Sequence, residues 1–241
     1  MVSRPWMPVL LGSLMASHSV NAIDERYNEI CVCEDPYQNG RTVPALVRDF
    51  KRSHPDFEYF TGTEANKNIV TEDLGADGRP VYSNRDTKST SGQANFDQWY
   101  RDVPGVNLNY PINLELTEIS PGLWEYEDMT FFPIDGQGWG YEGFPHNYHF
   151  TMEMHMKFIY EGGETFTFIG DDDLWVYING KLAINLGGTH PMLTESVDLD
   201  EVADYLGIKP GGTYNFDLFF AERKYDRSRF KFQTTIDLEC L

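Results

Sequence analysis

Three consecutive carboxylates, Asp171, Asp172 and Asp173, follow Gly170 and stand between two segments of strand character. Charges this close repel one another, by about 1 kcal/mol per exposed pair in water and by more once water is withdrawn. A cation held among them relieves the repulsion. A hard cation with oxygen ligands suits carboxylates and loop carbonyls, and calcium fits ahead of magnesium because its shell tolerates irregular loop geometry. The plain alternative is a solvated acidic turn.

Other residues of chemical interest read more simply. His149 and His155 share one face of a strand, six residues and about 20 Å apart, too far to hold one metal. His190, in Gly187-Gly188-Thr189-His190-Pro191, sits in a loop that borders the acidic corner and is a candidate ligand contact. Trp175 and Tyr177 share a strand face, where packing against a second sheet outweighs stacking on a sugar ring. Asp135, after Phe132-Pro133-Ile134, reads as a turn cap. The sequence contains no Gly-x-Ser-x-Gly elbow, His-Glu-x-x-His helix, phosphate loop or Cys-His nucleophile signature. A glycosidase needs two carboxyl groups roughly 5 to 9.5 Å apart across a cleft, whereas adjacent aspartates converge on one small locus. Catalysis is therefore not expected.

The acidic corner has to be positioned by strands. Residues 164–169 lead into it and residues 174–179 leave it, and Asn179-Gly180 then turns the chain toward residues 182–184, since both turn positions tolerate positive φ. Tyr148, Phe150, Met152, Met154, Met156, Phe158 and Tyr160 alternate with His149, Thr151, Glu153, His155 and Lys157, which predicts a strand with one buried and one wet face. The same period recurs in Tyr214, Phe216, Leu218 and Phe220, and in Phe230, Phe232, Ile236 and Leu238. Residues 24–92 are punctuated by Gly, Pro, Asn and Asp and read as loop-rich, with one early strand at 43–50. A short helical turn is expected at 96–100 and a two-turn helix at 199–206. Short strands without strand–helix alternation predict an all-β chain, an antiparallel β-sandwich or jelly-roll-like barrel.

The chain of 241 residues carries 19 Lys and Arg against 38 Asp and Glu, a net charge of −19. Such a surface repels phosphate backbones and no basic stripe forms, so nucleic acid is not an expected partner. Residues 1–22 place Arg4, then the apolar run 8–16, then Val20-Asn21-Ala22, the order of a secretory signal cleaved after Ala22. That run is too short to cross a bilayer, and no later stretch is apolar enough for membrane insertion. Residues 23–42 then form an N-terminal extension and 43–241 one domain, secreted and extracellular. In an oxidising compartment Cys31 or Cys33 is expected to form a disulfide with Cys240, leaving one thiol spare. No Asn-x-Ser/Thr sequon occurs.

Residues 169–180, together with Leu186-Gly187-Gly188-Thr189-His190 and Phe219-Phe220-Ala221-Glu222-Arg223, resemble the fibro-slime domain, a branch of the protective-antigen-type (PA-fourteen) carbohydrate-binding β-sandwich. Val47-Arg48-Asp49-Phe50, His54-Pro55-Asp56-Phe57-Glu58, the run from Phe96 to Asp102, Phe132-Pro133-Ile134-Asp135 and Tyr148-His149-Phe150-Thr151 extend the resemblance over about residues 43 to 239. It implies a loop in which two aspartates joined by a cis peptide hold one calcium ion that in turn coordinates sugar hydroxyls. Matching the following Asn-Gly turn puts that pair at Asp171 and Asp172, with Asp173 where a small residue is usual. The second calcium loop falls at residues 222–229, where Asp226 and Ser228 bring oxygen and where Lys224, Arg227 and Arg229 replace the usual asparagine. Those cations are alternatively a brace for Asp173 or Glu222.

Two functions compete. One is a calcium-dependent carbohydrate-binding or adhesion module of the cell surface or extracellular matrix, with a glycan or matrix component as partner. The other is a structural matrix or signalling protein whose calcium serves folding and whose partner is a protein.

Overall fold

A computed structural model describes residues 40–58, 64–85 and 88–240. The expected leader, most of the expected N-terminal extension, Cys31 and Cys33, and with them the expected pairing to Cys240, lie outside the described residues.

The alternating runs form strands as their period dictates. These are β1 (Gly40–Phe50), β2 (Asn107–Ser120), β3 (Leu123–Asp128), β4 (Phe150–Tyr160), β5 (Thr165–Asp171), β6 (Asp173–Ile178), β7 (Lys181–Leu186), β8 (Leu193–Asp198), β9 (Gly212–Glu222), β10 (Arg229–Thr234) and β11 (Glu239–Cys240). The strand ladder runs β7-β6-β9-β4-β1-β2-β3-β10-β5-β8, with β11 added to β4. Every pairing is antiparallel. Its end strands β7 and β8 come back against each other, so the ladder nearly closes on itself. The chain is all-β. Asn179 (φ 51°) and Gly180 (φ 74°) form the tight turn between β6 and β7, where both positive φ values favour these two residue types.

Helix α1 covers Gln93–Phe96, a few residues before the expected 96–100, and α2 covers Leu199–Leu206 as the sequence predicts. Asp198 caps α2 by accepting from the Asp200 N–H, and Gly207 ends it in the left-handed region at φ 67°.

Two apolar clusters fill the molecule. The larger lies inside the curled ladder and includes Phe150, Met152, Met154, Leu174, Val176, Phe216, Leu218, Phe220, Phe230 and Phe232. The second lies on the outer face of β6, β9 and β4 and joins Phe50, Phe57, Ile69, Phe96, Trp99 and Tyr100 to Trp175, Tyr177 and Phe219. Trp175 and Tyr177 are thus core residues, as expected, but the loop-rich segment rather than a second sheet covers them.

That second cluster corrects the expectation of a wet face on β4. Thr151, Glu153 and His155 are buried, because the loop-rich segment covers them. Their charges are paired in place. Glu153 meets Arg48 at 2.8 Å, Arg79 at 3.0 Å and His155 at 3.3 Å, and His155 meets Asp217 at 2.6 Å. Despite burial, the arginines and His155 hold Glu153 down at about 2, and Asp217 and Glu153 hold His155 up at about 9.

The run expected as one strand from Phe230 to Leu238 divides. β10 ends at Thr234, whose hydroxyl donates to the Thr165 carbonyl, and the chain then crosses to pair β11 with β4. Asp135 is more than a turn cap, since its carboxylate accepts from the Asn147 N–H at 2.8 Å and lies 2.6 Å from His146 Nδ1.

Candidate functional site

Asp172 is the single residue between β5 and β6. Asp171 still pairs with Arg229 on β10, while Asp173 already pairs with Ala221 on β9. The acidic run is therefore the corner where the chain passes from one part of the ladder to another. Its Asp171–Asp172 peptide bond is cis. Gly170 is required just before it, because a Cβ there would lie 2.4 Å from the Arg229 carbonyl oxygen.

The three carboxylates divide by direction. Asp173 points inward and is fully buried, with Oδ1 accepting from the Gly188 N–H and Oδ2 accepting from Arg223 Nε at 2.6 Å. Both oxygens are taken. Arg223, also fully buried, donates onward to the carbonyls of Asp56 and Ser89 and lies 4.9 Å over the Trp99 ring. Asp172 accepts from the His190 N–H at 3.1 Å and from the Arg223 N–H at 3.4 Å. Asp171 accepts from Arg229 Nη1 at 3.2 Å through Oδ2, whereas its buried Oδ1 has no hydrogen-bond partner among the described residues.

Glu222 completes the group. Its Oε1 accepts from the Lys224 N–H at 3.2 Å, and its buried Oε2, like Asp171 Oδ1, has no hydrogen-bond partner among the described residues. Burial, reinforced by Asp172 and Asp171, pushes Glu222 well above the usual carboxylate range. Burial and then Asp173 push Asp172 up to about 7 against the pull of Arg223. Asp171 is also raised by burial, with Arg229 opposing.

Asp171, Asp172 and Glu222 line a pocket of about 160 Å³, shared with His190, Asp226 and Arg227. That is far more than the roughly 10–15 Å³ a single water needs. Asp226 is exposed on its rim and Ser228 is buried next to Glu222. His190 Nδ1 and Nε2 face the Pro191 and Leu186 carbonyls at 2.9 and 3.0 Å, so its contribution comes through the main chain.

The brace expected from Lys224, Arg227 or Arg229 to Asp173 or Glu222 is differently built. Arg223 holds Asp173 and Arg229 holds Asp171, because β9 and β10 deliver those two residues to opposite sides of the corner.

Among the described residues no three His, Cys, Asp or Glu side chains form a ready metal cluster. The donor set still suits a hard cation. Buried carboxylate oxygens without donors carry an unrelieved desolvation cost. Asp171 and Asp172 would supply the carboxylates and neighbouring carbonyls the remainder, with no free imidazole or thiolate to favour a softer metal.

Sequence reasoning placed Glu222 only at the start of the second loop and as a partner for its cations, not as a buried carboxylate of the pocket, and it missed Arg223 as the partner of Asp173. A signal was present, since Glu222 continues the alternation of Tyr214, Phe216, Leu218 and Phe220 and so places a carboxylate on an apolar face.

An all-β ladder with a paired-aspartate corner is the class of protein defined so far, and residues 134–239 match the PA14 domain family. Among curated proteins, psiR of Dictyostelium discoideum is 37% identical over 221 residues, covering 84% of this chain and 22% of its own length. PsiJ of the same organism is 40% identical over 237 residues, covering 85% and 32%. The chain spans about a fifth to two fifths of the length of the curated relatives it matches. Among solved structures, a PA14 sugar-binding domain from an RTX adhesin is 8% identical with a TM-score of 0.35, covering 83% of this chain and 95% of its own. The epithelial adhesin 9 A domain of Candida glabrata, in complex with Galb1-4GlcNAc, is 14% identical with a TM-score of 0.37, covering 86% and 92%. The PA14 match begins after β3, yet β1 lies between β4 and β2 in the ladder, so the preceding segment belongs to the same folded body.

Proposed function

We propose that this chain is a calcium-dependent carbohydrate-binding module that works outside the cell, and that it is a binding rather than a catalytic protein. Asp171 and Asp172 hold the ion, and the ion presents its open positions to sugar hydroxyls in the pocket. The observation that carries this reading is the buried, unpartnered Asp171 Oδ1 beside Asp172 in an open pocket. A carboxylate oxygen withdrawn from water without a donor either neutralises by taking a proton or stays ionised by holding a cation, and the open pocket leaves room for the cation. The PA14 match over this same corner agrees with the reading, as does the fibro-slime resemblance of the flanking segments.

The test is a glycan array with and without calcium, run beside calorimetric calcium titration of the wild type, Asp171→Asn and Asp172→Asn. Calcium binding, glycan signal lost on chelation, and loss of both in each variant are expected. Absence of calcium binding to the wild type refutes the site. A second reading, a calcium ion that serves folding alone with a protein as partner, is favoured by Arg229 taking one oxygen of Asp171. It predicts calcium binding with no glycan signal.

A further inference from the structure

The loop from β9 to β10 is out of character with the rest of the chain. Residues 222–229 contain Arg223, Lys224, Arg227 and Arg229, in a protein with twice as many acidic as basic residues. Arg223 and Arg229 have internal duties. Arg223 is buried on Asp173, and Arg229 is paired with Asp171. Lys224 and Arg227 line the pocket mouth, and Arg227 is exposed, with no ion pair to any described carboxylate.

Resting on the reading of the pocket as a calcium-dependent glycan site, we infer that its ligand is an acidic glycan, a sugar bearing a carboxylate or a sulfate ester. The pocket lining holds four carboxylates, Asp171, Asp172, Glu222 and Asp226, against three cations, Lys224, Arg227 and Arg229. A divalent ion on the floor turns that balance positive. Neutral hydroxyls satisfy the ion's open positions but offer the exposed Arg227 guanidinium, a planar fork matched to carboxylate and sulfate, no anion to bind. The acidic surface elsewhere does not oppose this, because charges beyond about 8 Å are screened at physiological salt.

The loop that carries the rim also presents an exposed aromatic face, next in sequence to two lining residues though not itself lining the pocket. Tyr225, between Lys224 and Asp226, is 55% exposed and stacks on Phe144 with centroids 5.0 Å apart and planes 7° from parallel. Arg52 lies 4.9 Å from the Phe144 ring centroid, so Phe144 is packed on by both Tyr225 and Arg52. A supported, exposed aromatic ring beside a cationic rim suits a ligand with both a C–H face and a negative substituent.

The experiment measures affinity of the full chain, saturated with calcium, for matched pairs differing only in charge: digalacturonate against digalactose, and a galactose-terminated glycan with and without a 3-sulfate. At least a tenfold preference for the acidic member of one pair is expected, the pair showing it distinguishing carboxylate from sulfate. Arg227→Gln should reduce that preference to about threefold or less, with its melting temperature in calcium as the check on folding. Equal affinity within both pairs, or a preference unchanged in Arg227→Gln, overturns the acidic ligand and leaves the calcium–glycan reading standing. Acidic glycan bound equally well in chelator, or no binding by any member of either pair, overturns both.

Discussion

Replacing Arg223 by methionine removes the charge that holds the acidic corner from within while keeping most of the side-chain volume. Asp173 would remain fully buried with only the Gly188 N–H as donor, and the Asp56 and Ser89 carbonyls would lose theirs. Breaking one side of a buried ion pair costs about 3–5 kcal/mol, because the remaining charge has no compensation. For a chain of this size that lowers the melting temperature by roughly 10 °C. The exposed pair Lys67–Glu195, at 3.2 Å but with side chains 60% and 30% exposed, supplies the contrast. Lys67→Met should cost under about 0.5 kcal/mol. Urea denaturation of Arg223→Met, Asp173→Asn and the double variant closes a cycle, in which the double variant should recover about 2 kcal/mol over the sum of the singles. A cost below about 1 kcal/mol for Arg223→Met, or strict additivity in the double variant, refutes the account of Asp173 as an internal anchor.

Asp173→Asn should lower stability in chelator yet retain the calcium-induced rise in melting temperature, about 2.7 kcal/mol at 100 times Kd; differential scanning calorimetry reads both. Gly170→Ala should destabilise by roughly 1–3 kcal/mol, since the new Cβ meets both the Arg229 carbonyl and the fully buried Phe168 ring. It should also weaken calcium binding, which titration of the folded variant checks. The folded pKa of His155, about 9, lies above its ordinary 6.5, so its stabilisation is complete below about pH 6.5 and is lost as pH rises through 9. That loss amounts to up to about 3 kcal/mol. Stability of His155→Gln should lack this decline between pH 6.5 and 9, which urea titrations at fixed pH would show.

Much of the ladder is legible in the sequence, because a period of two in apolar residues has a single physical meaning for a chain with one covered face. Phe216, Leu218, Phe220, Phe230 and Phe232 point into the core as their alternation predicts, and Asn179-Gly180 turns where its tolerance of positive φ allows. Alternation fails on β4 for a physical reason. Its polar positions carry Glu153 and His155, which read as solvated, and nothing local reveals that Arg48 and Arg79 arrive from about 105 and 74 residues away to pair with Glu153. Distant charge pairs erase the difference between a wet face and a buried one.

The acidic corner divides in the same way. That three adjacent carboxylates need positive charge follows from electrostatics alone, whereas the source of that charge depends on which strands meet there. β9 brings Arg223 under Asp173, and β10 brings Arg229 against Asp171. One carboxylate is thereby neutralised by the fold, one is half neutralised, and Asp172 is held by backbone N–H groups alone. The unmet demand for charge therefore sits at Asp171 and Asp172, with Glu222 behind them on an apolar face. The run of three looks symmetric in sequence, and strand pairing makes it directional, with an internal anchor at Asp173 and an open mouth at the other two.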